Sequence, residues 1–146
     1  MHDRKIKRLW LSQEKYIKKV LDMFNMKNAK PVGTPLATHF KLSIELCPSD
    51  DKEKEEMRKI PYASTIGSLT YVIVCTQPDI AYSVEVVSRF LANLRKQHCE
   101  AVKWILRYLK GTSHYCLCFS HNETLLERFT HADMVGDMDT RKSTTN

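Results

Sequence analysis

Four metal-ligand side chains fall within eight residues, as His114-x-Cys116-x-Cys118-x-x-His121. Imidazole nitrogens and thiolates are the donors that hold structural zinc in a tetrahedron. Two Cys spaced two apart on a strand rarely close such a cage, so the competing reading is ordinary residues of a strand pair. The five Cys (47, 75, 99, 116, 118) are odd in number and include no Cys-x-x-Cys, the usage expected of reduced intracellular thiols. Two-metal phosphoryl transfer would instead need carboxylates gathered from several elements. The one adjacent Asp pair, Asp50-Asp51, lies in a Lys/Glu-rich run with no apolar strand beside it and reads as part of a solvated face.

The basic residues carry a second kind of chemistry. Residues 1–30 hold nine Lys or Arg against three acids, an excess equal to the whole formal net charge of +6. Lys15, Lys18 and Lys19 share one helix face, and Lys103, Arg107 and Lys110 recur on another. Such faces suit the phosphates of a nucleic-acid backbone, bound without regard to sequence and weakened steeply by salt. An amphipathic helix also needs a charged outer face when it binds nothing.

The elements that position these residues follow from periodicity. In 6–11 a loose alternation predicts a short strand, and Ser12 is expected to cap a helix over 12–25. That helix carries an apolar stripe of Tyr16, Ile17, Val20, Leu21 and Phe24. Pro31 and Pro35 force an extended path. Residues 60–90 form two apolar runs around Thr76-Gln77-Pro78-Asp79. A Pro is excluded from a helix interior but suits a first turn. The reading is therefore a buried helical hairpin, one helix ending near Cys75 and the next starting at Pro78 with Thr76 as N-cap. Val102, Ile105, Leu106 and Leu109 mark the buried face of a later helix, with Gly111 as its stop. Residues 114–119 and 125–131 read as strands. The apolar block over 66–87 is broken by Gln77, Asp79 and Glu85, so it is a core element and not a membrane span. Both ends of the chain read as cut, with an unpaired strand at the first and no closing element at the second.

Several stretches resemble the Pol polyproteins of copia-type retrotransposons, plant elements above all. They are Leu9-Trp10-Leu11-Ser12-Gln13-Glu14-Lys15-Tyr16-Ile17, then Phe24 to Leu36, Pro61-Tyr62 with Ile66 to Tyr71, and Pro78 to Ala81. Ser88-Arg89-Phe90, Ala101 to Thr112 and Thr130 to Thr145 follow in the same order. The resemblance implies a fragment of a reverse transcriptase and ribonuclease H polyprotein whose integrase and polymerase palm precede this region. Residues 1–59 would be the end of the palm, a thumb-like helix and a linker. Residues 60–112 would be a helical connection, and 113–146 the first strands of a truncated ribonuclease H-like domain. The fold class is then α+β, mainly helical with a few antiparallel strands after the helices.

On the same resemblance, the parent enzyme synthesises DNA on an RNA template and cleaves RNA–DNA hybrids with Mg2+. The fragment itself is expected to hold no cofactor and to be inactive alone. The polymerase carboxylates would lie upstream. The first ribonuclease H carboxylate is replaced by His131, which leaves Asp133 and Asp137 as remnants, with Asp139 nearby. Imidazole is a poor ligand for Mg2+, which prefers oxygen. Gln77, Leu94 and Cys99 stand where the family usually has Arg, Pro and Trp, departures that resemble the drift of an unconstrained copy. The implied partner is template–primer or RNA–DNA hybrid, held weakly through Lys15, Lys18, Lys19, Lys103, Arg107 and Lys110, in the cytoplasm or nucleus and away from membranes. The alternative is a non-catalytic nucleic-acid-binding module co-opted from such an element.

Overall fold

The computed structural model describes residues 2–3, 7–40, 42, 52, 55, 59–92, 94–120, 132–133 and 144–145. Helix α1 spans Glu14–Met23 and buries Ile17, Val20 and Leu21, the centre of the apolar stripe. It ends at Phe24 because Asn25 turns left-handed, with φ 55°, a conformation that Asn tolerates better than most residues. The Met26 N–H then reaches the Leu21 carbonyl at 2.8 Å and the Asn25 N–H reaches Asp22 at 3.1 Å. These two bonds satisfy carbonyls that the helix end would otherwise orphan.

Helix α2 covers Tyr62–Cys75 and buries Tyr62, Thr65, Ile66, Leu69 and Val72. Pro78 opens a 3-10 turn, Pro78–Ile80, which runs into α3, Ala81–Ser88. The hairpin therefore breaks where Pro requires. Its cap is not the expected one, since Gln77 occupies the N-cap position without a side-chain cap bond. Thr76 instead donates its hydroxyl to Gln13 Oε1 at 2.6 Å, because packing brings the start of α1 within its reach. Tyr62 closes the hairpin by donating its buried hydroxyl to the Val87 carbonyl at 2.7 Å.

Helix α4, Lys96–Thr112, buries Val102, Ile105, Leu106 and Leu109 as expected, together with His98, Cys99, Ala101 and Thr112. It does not stop at Gly111. A Cβ at 111 would lie 3.3 Å from Pro31 Cβ. The glycine thus serves close approach of the Pro-containing segment, not a left-handed stop. Helices α1 to α4 feed one core, whose fully buried members include Ile17, Leu69, Ile80, Ile105 and Leu109.

The described strands form two antiparallel sheets. Strand β2, Arg8–Ser12, pairs antiparallel with β1, His2–Asp3, and with β3, Cys116–Ser120. Ser12 therefore ends a strand, and its hydroxyl accepts the Glu14 N–H only at 3.4 Å. His114 and Tyr115 precede β3 because a turn, Tyr115 N–H to Thr112 at 2.9 Å, still holds them. Leu9 faces Phe119 and Leu11 faces Leu117, which sets these four side chains on one face of the sheet. Thus β3 is hydrogen-bonded to the strand before α1, across the boundary read at 112. Two further short strands, β4 (Ala132–Asp133) and β5 (Thr144–Thr145), pair antiparallel with each other. The architecture is α+β. The strand read at 125–131 lies outside the described residues, as does most of the charged run at 50–59.

Candidate nucleic-acid interface

Lys15, Lys18 and Lys19 are exposed on α1. Lys18 Nζ lies 2.6 Å from Glu14 Oε1, an i,i+4 pair open to solvent. Through that hydrogen bond and its charge, Lys18 holds the Glu14 carboxyl below the usual carboxylate range. Exposed pairs of this kind stabilise little and can exchange for a phosphate.

The basic residues of α4 divide into two kinds. Lys103 is exposed. Arg107 and Lys110 are half-buried and pin the segment at 29–34 to the helix. Arg107 Nε donates to the Lys30 carbonyl at 2.7 Å and Lys110 Nζ to the Ala29 carbonyl at 2.8 Å. Trp104 Nε1 donates to the Thr34 carbonyl at 2.9 Å, and the Arg107 guanidinium lies 5.0 Å from the Trp104 ring centre. Residues 104, 107 and 110 form one track along the helix and serve carbonyls that an extended, proline-interrupted chain cannot pair by itself. Reading the sequence missed Trp104. Its signal was the donor spacing of three beside a proline-rich segment.

The fold brings Lys18 and Lys110 together. They line one cleft of about 260 Å3 with Lys27, Leu21, Asp22 and Ser113. Lys27, 3.6 Å from Asp22 Oδ1, is a third amine there that the helical spacing did not single out. Lys103 lies elsewhere, beside Cys99, Tyr62 and Val102 in a cleft of about 300 Å3. Lys15 borders a third groove of about 420 Å3, whose wall includes Tyr16 and Tyr71. The six residues thus distribute over several surfaces instead of one stripe.

Asp133 lies in β4 opposite Thr144, while His131, Asp137 and Asp139 fall outside the described residues. Asp50 and Asp51 do so too. Cys116 and Cys118 are exposed on β3, two apart, and His114 stacks edge-on against Tyr115 at 4.6 Å. His121 and Cys47 are outside the described residues. Among the described residues, no three His, Cys, Asp or Glu gather as a metal site. Nor is any helix among them long and apolar enough to cross a membrane.

The three residues that the resemblance sets apart, Gln77, Leu94 and Cys99, are accommodated by the packing. Gln77 is buried and bonded to Thr112, and Leu94 packs half-buried against the core. Cys99 is buried, which pushes its thiol pKa up, and borders the 300 Å3 cleft.

No family model matches the sequence, and no solved structure matches it. Curated proteins do. The chain is 60% identical over 145 residues to the retrovirus-related Pol polyprotein from transposon TNT 1-94 of Nicotiana tabacum, covering 99% of this chain and 11% of that protein. It is 39% identical over 137 residues to the Pol polyprotein from transposon RE1 of Arabidopsis thaliana, covering 93% and 9%. An uncharacterised mitochondrial protein of Arabidopsis thaliana is 32% identical over 138 residues, 94% of this chain and 54% of its own length. The chain spans about a tenth of the length of the two Pol relatives.

Proposed function

This chain belongs to the Pol polyproteins of retrotransposons, and from that premise we propose that it is the copia-type segment joining the polymerase palm to ribonuclease H. In this reading, residues 1–59 carry the palm end and thumb-like helix, 60–112 the connection, and 113–146 the opening strands of ribonuclease H. The segment is catalytically inert alone. It holds template–primer or RNA–DNA hybrid by the sugar-phosphate backbone, in the cytoplasm or nucleus. Mg2+ belongs to the parent's two catalytic sites and not to this segment.

The convergence of Lys18, Lys27 and Lys110 on one cleft, from α1, the segment after it and α4, supports the binding role best. Amines from separate elements that share a cleft can track a phosphate chain, whereas scattered surface lysines only solvate. The second reading is an independent binding module.

Filter binding of an RNA–DNA duplex at two salt concentrations tests the role. The expected result is micromolar or weaker binding that falls with salt and ignores sequence. No binding even at low salt would overturn it. Hybrid cleavage with Mg2+ or Mn2+ that disappears in Asp133→Asn would contradict the inertness.

A further inference from the structure

We propose that Tyr71 is a stacking platform for an unpaired base of a single-stranded nucleic acid, with Lys15 taking the adjoining phosphate. The proposal rests on the nucleic-acid reading above and adds to it a base-binding residue outside the lysine clusters. Tyr71 projects from α2 with 54% of its surface exposed, although most large apolar side chains of that helix are buried. Its ring is held in place. Tyr16 meets it edge-on, with centroids 4.9 Å apart and planes at 67°. An aromatic ring fixed in this way loses little freedom on stacking.

The surroundings suit one end of a nucleotide each. The groove of about 420 Å3 beside the ring is walled by Ser12, Gln13, Glu14, Lys15, Tyr16 and Tyr71. Lys15 is exposed at its rim, and Glu14, the acid of the groove, is already paired with Lys18 at 2.6 Å. Helix α2 carries no ionised residue from Tyr62 to Cys75. Its outward side, including Val74 at 79% exposure, therefore offers a base an uncharged surface with no repulsion for the following phosphate. Stacking accepts any base because every base has a π-face. The site is accordingly indifferent to sequence but sensitive to the presence of bases, and in that it differs from the lysine cleft, which reads phosphates alone.

The test is fluorescence anisotropy of the full chain with labelled oligothymidylate and with an abasic oligonucleotide of equal length. Oligothymidylate is expected to bind about tenfold tighter. Tyr71→Ala should abolish that margin without changing the salt slope, Tyr71→Phe should keep it, and Lys15→Gln should lower the slope by about one. Circular dichroism of each variant controls for folding. Salt-dependent binding that is equal for both oligonucleotides and untouched by Tyr71→Ala overturns the platform and leaves the phosphate reading standing. Absence of binding to either at low salt overturns both. A margin that persists in Tyr71→Ala assigns the stacking to another residue and also overturns the proposal.

Discussion

Gln77 and Thr112 hold each other across 35 residues of chain. Gln77 Nε2 donates to the Thr112 carbonyl at 2.9 Å, and the Thr112 hydroxyl lies 3.1 Å from Gln77 Oε1 and 3.2 Å from the Tyr108 carbonyl. The hydroxyl's single proton is therefore shared between two acceptors. The Thr112 carbonyl is one that the end of α4 leaves without an intrahelical partner. Gln77 thus closes the turn of the α2–α3 hairpin onto the last turn of α4.

Gln77→Ala removes both amide bonds and leaves the Thr112 carbonyl with the Tyr115 N–H and the Thr112 hydroxyl with the Tyr108 carbonyl. The expected cost is about 2 kcal/mol, read as a lower urea midpoint with an unchanged m-value. A midpoint equal to that of the unsubstituted chain would mean that the amide is replaceable by water.

Stability should fall in mild acid because of His98. Its ring is fully buried, stacks on Phe90 with centroids 4.2 Å apart, and accepts the Arg95 N–H at Nδ1 at 3.0 Å. Burial, then the Arg95 charge, lowers its pKa from the ordinary 6.5. The folded chain consequently binds fewer protons than the unfolded chain below about pH 6.5. The contribution of His98 is complete above that value and is lost as pH falls through it toward the lower folded pKa. Protonation also places a hydrogen on Nδ1 where the Arg95 N–H now donates. Urea midpoints measured between about pH 8 and about pH 5 should fall less for His98→Phe than for the parent. Equal slopes would rule out His98 as the titrating group.

Arg107 and Lys19 should separate by their readouts. Arg107→Ala breaks the bond to Lys30 and the contact with Trp104, for an expected loss of about 1–2 kcal/mol of stability. Lys19→Gln, at an exposed position, should leave stability within about 0.5 kcal/mol and lower the salt slope of duplex binding by about one. If Arg107→Ala leaves the denaturation midpoint unchanged, its bond to the 29–34 segment contributes nothing.

Local signals carried far along this chain. The apolar stripe from Tyr16 to Phe24 marked the buried side of α1, and Val102, Ile105, Leu106 and Leu109 marked that of α4. Pro78 marked the break in the hairpin. These succeed because helical periodicity and the missing N–H of proline act within a few residues. Thr76 and Gly111 were misassigned for the complementary reason. Each has a standard local use, as a cap or a stop, that a distant contact replaced: Gln13 at 63 residues for one, Pro31 for the other.

The sequence by itself determined the helices, the position of their breaks, the concentration of positive charge in the first thirty residues and the resemblance to a retrotransposon Pol segment. Tertiary structure alone decided which lysines share a cleft, that Arg107 and Lys110 reach back 77 and 81 residues to carbonyls of the proline-rich segment, and that β3 pairs with β2. Hydrophobic burial is written residue by residue, because each apolar side chain is drawn from water whatever its partner. A hydrogen bond needs one donor and one acceptor at about 3 Å. When the two are far apart in sequence, only the packing of the helices between them brings them to that distance.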